Sequence, residues 1–198
     1  RTVTLTSADG EKVYDGTALT NDEVTVGGDG FAKGEGATYD VTGTQTAVGS
    51  SANAFTYSLN EGTKAANYDI TKTEGTLTVT ELTDKVTVTI TENSGSEKYD
   101  GTEKTVTGYD VSIDNELYTE ADFTFSGDAT VKGTDAGTYN MELKPEDFEN
   151  TNDNFANVKF VIVDGTLTIT AIADEITITA DSNEKVYDGK ALTDDGYT

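Results

Sequence analysis

The chain has no cysteine, no histidine and no tryptophan, and only one proline in 198 residues. Without Cys there is no disulfide framework, so a small module of this composition must be held by sheet packing, or by a metal or some other cross-link. Without His or Cys the usual nucleophile and base pairs are missing. No Gly-x-Ser-x-Gly elbow or glycine-rich phosphate loop replaces them. A glycosidase built on two carboxylates is not excluded by composition, but the absence of Trp removes the usual stacking platform for a sugar. Basic residues are also scarce: 13 Lys and Arg face 37 Asp and Glu, a net charge of -24. Such a surface repels a phosphate backbone or an anionic bilayer, so neither nucleic acid nor a membrane surface is an expected partner. No apolar run approaches the roughly 20 residues that span a bilayer, so no membrane insertion is expected. The chain starts at Arg1 with no charged and apolar leader pattern, so any signal peptide is expected outside this sequence.

What is present is repetition. Val13-Tyr14-Asp15-Gly16-Thr17-Ala18-Leu19-Thr20 returns as Lys98-Tyr99-Asp100-Gly101-Thr102 and again as Val186-Tyr187-Asp188-Gly189-Lys190-Ala191-Leu192-Thr193. The three tyrosines are spaced 85 and 88 residues apart. A second marker, Asn67-Tyr68-Asp69-Ile70 followed by Gly75-Thr76-Leu77-Thr78-Val79-Thr80, recurs 90 residues later as Asn157-Val158 followed by Gly165-Thr166-Leu167-Thr168-Ile169-Thr170. Two dissimilar motifs sharing one period define a repeating unit. The expected division is residues 1–83 and 84–173 as two β modules, with 174–198 as the opening of a third. Linkers of about five residues, without Gly or Pro, are expected to be semi-rigid.

Val, Ile or Leu alternates with Thr in Val3-Thr4-Leu5-Thr6 and over residues 76–80, 86–90, 166–170 and 176–179. This period of two places the aliphatic residues on one face of a strand and Thr on the other. No apolar period of 3.6 persists for three turns. Residues 20–23, 119–122 and 144–147 suit single 3₁₀-like turns. The expected fold is all-β: tandem small antiparallel β-sandwich, Ig-like modules, with a β-grasp-like module as the alternative. The lack of a two- to three-turn helix favours the sandwich.

The Tyr-Asp-Gly triplet reads as architecture. Gly permits a positive φ, Asp accepts hydrogen bonds from groups two residues on, and Tyr buries its ring while its hydroxyl reaches the surface. A sharper alternative is an isopeptide cross-link from a neighbouring lysine to Asn67 or Asn157. Its register is inconsistent: Lys12 and Lys185 lie two residues before their Tyr, whereas Lys98 lies one residue before and so points to the opposite face of a strand. Asn67 and Asn157 therefore read as amides anchoring a turn or loop. Asp135-Ala136-Gly137-Thr138-Tyr139 matches the corner of Ig-like sandwiches in which a Tyr hydroxyl ties back to backbone. The first unit departs from it at Ala47-Val48-Gly49. Glu81 with Asp84, and Asp174 with Glu175, are the acidic pairs nearest the linkers. Two carboxylates fall short of the six to eight oxygens Ca²⁺ needs, so they read as solvated acids. No catalytic, cofactor-binding or metal-ligating residue is assigned.

KVYDGTALT, the VGS or DAGTY middle and NYDI…GTLTVT together resemble the YDG/MBG-type tandem repeat domains of bacterial cell-surface proteins and adhesins. The resemblance covers nearly the whole chain. It implies an extracellular, cell-wall-attached or secreted protein, flanked by further repeats, whose modules form a stalk. Modules of this kind sometimes contact host glycoproteins or glycans. Two functions are therefore weighed: a non-catalytic stalk, and weak glycan or mucin-type binding strengthened by repetition. Residues 176–179 are expected to pair with the preceding module, or with another molecule by strand exchange.

Overall fold

The computed structural model describes residues 1–198. Its strands fall into two sets that share no sheet. The first set comprises β1 (Thr2–Ser7), β2 (Gly10–Val13), β3 (Val24–Gly28), β4 (Ala37–Val41), β5 (Gly49–Ala52), β6 (Phe55–Leu59), β7 (Asp69–Thr73) and β8 (Thr76–Thr80). The second comprises β9 (Val86–Glu92), β10 (Gly95–Lys98), β11 (Lys104–Thr107), β12 (Tyr109–Ile113), β13 (Phe123–Phe125), β14 (Thr130–Gly133), β15 (Gly137–Asn140), β16 (Phe148–Asn150), β17 (Val158–Val163) and β18 (Thr166–Thr170). Both are all-β and sandwich-like. Helical structure is limited to 3₁₀ turns at Ala65–Asn67, Glu120–Asp122 and Pro145–Asp147. The last two lie where single turns are expected. Residues 20–23 do not form one: Asn21 instead accepts the Glu23 N–H through Oδ1 and donates from Nδ2 to the Asp9 carbonyl.

The two sets repeat one plan. One sheet has the order β3-β1-β7 in the first module and β12-β9-β17 in the second; a facing sheet is β2-β8-β5 in the first and β10-β18-β15 in the second. The registers superpose: Val3 faces Ile70 as Val88 faces Phe160, and Gly10 faces Leu77 as Gly95 faces Leu167. These sheets are mixed rather than antiparallel throughout. The opening strands run parallel to the closing ones, β1 with β7 and β2 with β8, and likewise β9 with β17 and β10 with β18. Alternation along a strand reports which face is buried. It does not report the direction of the partner, which is why this feature was absent from the expectation.

Alternation does place the core. In β1 and β8 Val3, Leu5, Leu77 and Val79 are buried, and in β9 and β18 Val86, Val88, Ile90, Leu167 and Ile169 are buried, with Thr between them. The cores differ in size. Twelve buried residues form one cluster in the second module, with aromatics Tyr118, Phe148, Phe155 and Phe160, whereas the matching cluster in the first is Val3, Leu5 and Phe55.

The expectation that residues 176–179 pair with the preceding module requires correction. They form no strand against the preceding module, and Ile176 and Ile178 are 88% and 71% exposed. The only regular pairing is local, between Thr179 and Thr198 and at the Ala180–Tyr197 bridge. In β9 the same Ile/Thr pattern is flanked by β12 and β17. No equivalent strands follow residue 179, so the pattern has nothing to pair with in this chain.

Candidate functional site

Each Tyr-Asp-Gly triplet forms the same turn, and in the two complete modules it ends the strand β2 or β10. The Tyr14 and Tyr99 amides extend the parallel ladder by donating to the Thr80 and Thr170 carbonyls, at 2.8 and 2.9 Å. Asp15 Oδ1 then accepts the Thr17 amide at 2.9 Å, Asp100 Oδ1 the Thr102 amide at 2.9 Å, and Asp188 Oδ1 the Lys190 amide at 3.0 Å. The intervening glycines lie at φ of 77 to 79°, where a Cβ would crowd the following carbonyl. This is the turn that the residue types imply.

A lysine closes every turn, but from a different direction. Lys12 and Lys185 reach forward to Asp15 and Asp188, whereas in the second module Lys104 reaches back to Asp100 at 2.6 Å. The lysine thus changes position while its partner does not, and the shifted register of Lys98 needs no further role in the turn. The ammonium of Lys12, helped by the Thr17 hydroxyl and amide, holds the Asp15 carboxyl down at about 2; Lys104 and Thr102 hold Asp100 lower still. Lys12, Lys104 and Lys185 are thus each engaged with an aspartate of their own turn. Asn67 and Asn157 act through the main chain: their carbonyls accept the Arg1 amino terminus and the Val86 amide. Both clamp the start of an opening strand.

The feature that the sequence left hidden is where the turn points. Tyr14 packs edge-on against Phe155 of the second module, with ring centroids 5.5 Å apart. Gly16 lies so close to Leu117 that a Cβ there would come within 2.9 Å of Leu117 Cδ2. The linker joins in. Leu82 pairs with Phe155 as a short parallel bridge, donating its N–H to the Asn154 carbonyl at 2.9 Å and accepting the Ala156 N–H at 3.0 Å. From the loop before β5, the Val48 amide donates to Asn154 Oδ1 at 2.7 Å. The first module's turn, linker and β5 loop therefore close around a single loop of the second, residues 154–156. No sequence marker flagged Asn154 or Phe155, because the corresponding positions of the first module hold Lys64 and Ala65.

A second construction lies inside each module, where paired strands pass from one sheet to the other. Residues 8–9 and 74–75 make that passage side by side, as do 93–94 and 164–165. Gly75 and Gly165 have no room for a side chain: a Cβ would lie 2.5 Å from the Ser7 carbonyl oxygen and 2.4 Å from that of Asn93. The amides exposed at the corner need acceptors. Ser7 Oγ accepts Gly75 N–H at 2.9 Å in the first module, and the buried Glu92 accepts Gly165 N–H with Oε2 and Leu143 N–H with Oε1, both at 2.7 Å, in the second. The invariant first letter of the GTLT strand is thereby explained by close packing.

The expected tyrosine corner is present: Tyr139 donates its hydroxyl to the Asp135 carbonyl at 3.0 Å. In the first module Ser51 takes that place and donates to the Thr44 carbonyl at 3.0 Å. Glu81, Asp84, Asp174 and Glu175 are not gathered with one another, nor with other acidic residues, into any group of three or more. Exposed aromatics do not repeat. Tyr57 on β6 is partly exposed, but Asn150 occupies the matching position on β16. No helix is long and apolar enough to cross a membrane.

No curated protein and no solved structure matches the chain. A family model does: the one described as MBG domain matches residues 86–171, which run from the first residue of β9 to one residue past β18. That match takes in the opening strand, the Tyr-Asp-Gly turn and the closing Gly-Thr-Leu-Thr strand, so the second module is similar to the MBG domain over its whole length.

Proposed function

We propose that the chain is part of the stalk of a bacterial cell-surface, adhesin-like protein, in which modules of this type act as non-catalytic spacers. The MBG domain is a repeat-type domain of surface proteins rather than an enzyme family. The observation that carries the reading is the joint. Three separate parts of the first module, the turn at Tyr14, the linker at Leu82 and the β5 loop at Val48, engage one loop of the second through three hydrogen bonds and an aromatic contact. A flexible tether needs none of these, whereas a spacer that holds something away from a cell wall gains reach from each. The acidic surface fits the same role, since net charge of one sign keeps neighbouring rods apart.

Binding of a glycan or mucin-type glycoprotein is less well supported, because the exposed aromatic Tyr57 of the first module has no counterpart in the second. Small-angle scattering tests the stalk. The natural chain should fit one fixed arrangement of its two modules. Leu82→Pro, which removes the N–H donated to Asn154, should broaden the distribution of interatomic distances while both modules stay folded. A natural chain that already scatters as two freely jointed bodies would sink the proposal.

A further inference from the structure

The three parts of the first module that close around residues 154–156 have counterparts at the far end of the second. By strand register, Tyr99 stands where Tyr14 stands, Ile172 where Leu82 stands, and Ala136 where Val48 stands. In the first module these positions are covered. In the second, Tyr99 is partly buried against its own core, as Tyr14 is against the same cluster, but the other two positions are open. Ile172 is 56% exposed, Ala136 is exposed, and neither backbone N–H, nor the Ile172 carbonyl, makes a hydrogen bond within the chain. Gly101 has nothing within 4 Å of where a Cβ would lie, whereas Gly16 has Leu117 against it. Beside Tyr99 and Ile172 is a hollow of about 260 Å³ lined by Lys98, Tyr99, Ala171, Ile172, Ala173 and Asp174. The chemistry is that of the covered joint: an aromatic edge, an aliphatic linker residue and unpaired main-chain groups.

We infer that this end of the second module is a socket for the Asn-Phe loop of a following copy of the same module. The socket takes an Asn whose side-chain oxygen accepts the Ala136 amide and whose carbonyl accepts the Ile172 amide. The Phe that follows packs on Tyr99. The inference rests on the stalk reading, because it extends the observed joint to the next one along. It also gives the joint a chemical requirement. A loop carrying Lys and Ala, as at Lys64 and Ala65 of the first module, supplies neither the side-chain acceptor nor the ring. Modules are therefore not interchangeable in order: one of the second type follows, and one of the first type does not dock in this way.

The test compares amide hydrogen exchange in the natural 198-residue chain with that in an extended chain, residues 1–175 followed by a second copy of residues 86–173. In the natural chain the Leu82 and Val48 amides should be protected, and those of Ile172 and Ala136 should exchange freely. In the extended chain Ile172 and Ala136 should slow by roughly tenfold or more. Asn154→Ala in the added copy, which leaves the buried Phe155 in place and so spares the fold, should release Ala136 alone. Unchanged exchange at Ile172 and Ala136 in the extended chain would overturn the socket while leaving the first joint standing. Free exchange at Leu82 and Val48 in the natural chain would overturn the joint itself, and the socket with it. Protection of Ala136 that survives Asn154→Ala would show a different occupant and also overturn the assignment.

Discussion

At the scale of the residue, the Tyr-Asp-Gly aspartate is the group whose chemistry the fold changes most visibly. Asp15 stands at about 2 against an ordinary 3.8, first because of Lys12, then because of the Thr17 hydroxyl and amide. A carboxyl lowered in the folded state stabilises the turn at pH values above its unfolded value. That contribution is lost as pH falls from about 4 toward 2. Side-chain NMR titration should therefore find Asp15, Asp100 and Asp188 among the most acidic carboxyls in the chain. Lys12→Met should return Asp15 toward the ordinary range and leave Asp100 unmoved, because Asp100 is held by its own Lys104. An Asp15 that already titrates near 4 in the natural chain would contradict the geometry. The turn itself was legible from residue types alone, since Asp and Gly in that order specify an amide accepted two residues on and a positive φ. Which lysine answers the aspartate was not legible, because a long flexible side chain reaches the same carboxylate from residue 12 or from residue 104.

At the scale of the element, the corner where strand pairs change sheets explains why a closing strand must begin with glycine. Its energetics are testable in the second module, where one buried carboxylate serves two amides. Gly165→Ala forces a methyl against the Asn93 carbonyl and Glu92, a clash with backbone that cannot rotate away, and should cost about 1–3 kcal/mol. Glu92→Gln keeps the shape but turns an NH₂ toward either Leu143 N–H or Gly165 N–H, leaving a buried donor unpaired, at about 1–3 kcal/mol. Urea denaturation of each variant measures both. A Glu92→Gln chain as stable as the natural one would show that the two amides find other acceptors. Strand positions were readable from the Thr alternation over residues 3–6, 76–80, 86–90 and 166–170, because each has a core to face. The same alternation over 176–179 misled, since a pattern specifies a face and only a neighbour makes it a strand. Ser7 and Glu92 hold equivalent corners with unlike side chains, so no comparison of the two repeats pointed to them.

At the scale of the whole molecule, two modules with one topology have unequal cores, and the difference should set the order in which they unfold. The second module buries an aromatic cluster in which Phe148 contacts Tyr109, Phe123, Phe125 and Phe160. The first has a single fully buried aromatic, Phe55, packed with Tyr39, and fewer buried apolar residues: Val3, Leu5, Leu77 and Val79. Apolar burial is the main favourable term in folding, at about 25 cal/mol per Å², so the larger cluster confers the greater stability. Phe155, meanwhile, belongs to the second core and also plugs the joint, so the first module borrows stability from the second through Tyr14 and Leu82. Chemical denaturation followed by amide exchange should thus show two steps, with the amides of β1 and β7 released before those of β9 and β17. Leu82→Pro should move the first step to lower denaturant and leave the second in place, because the second core keeps all of its own contacts when the linker lets go. The joint is already open when the second module unfolds, so it acts on the first step alone: a second step that shifts together with the first would mean that the two modules unfold as one unit, and that the unequal cores do not govern how the molecule comes apart.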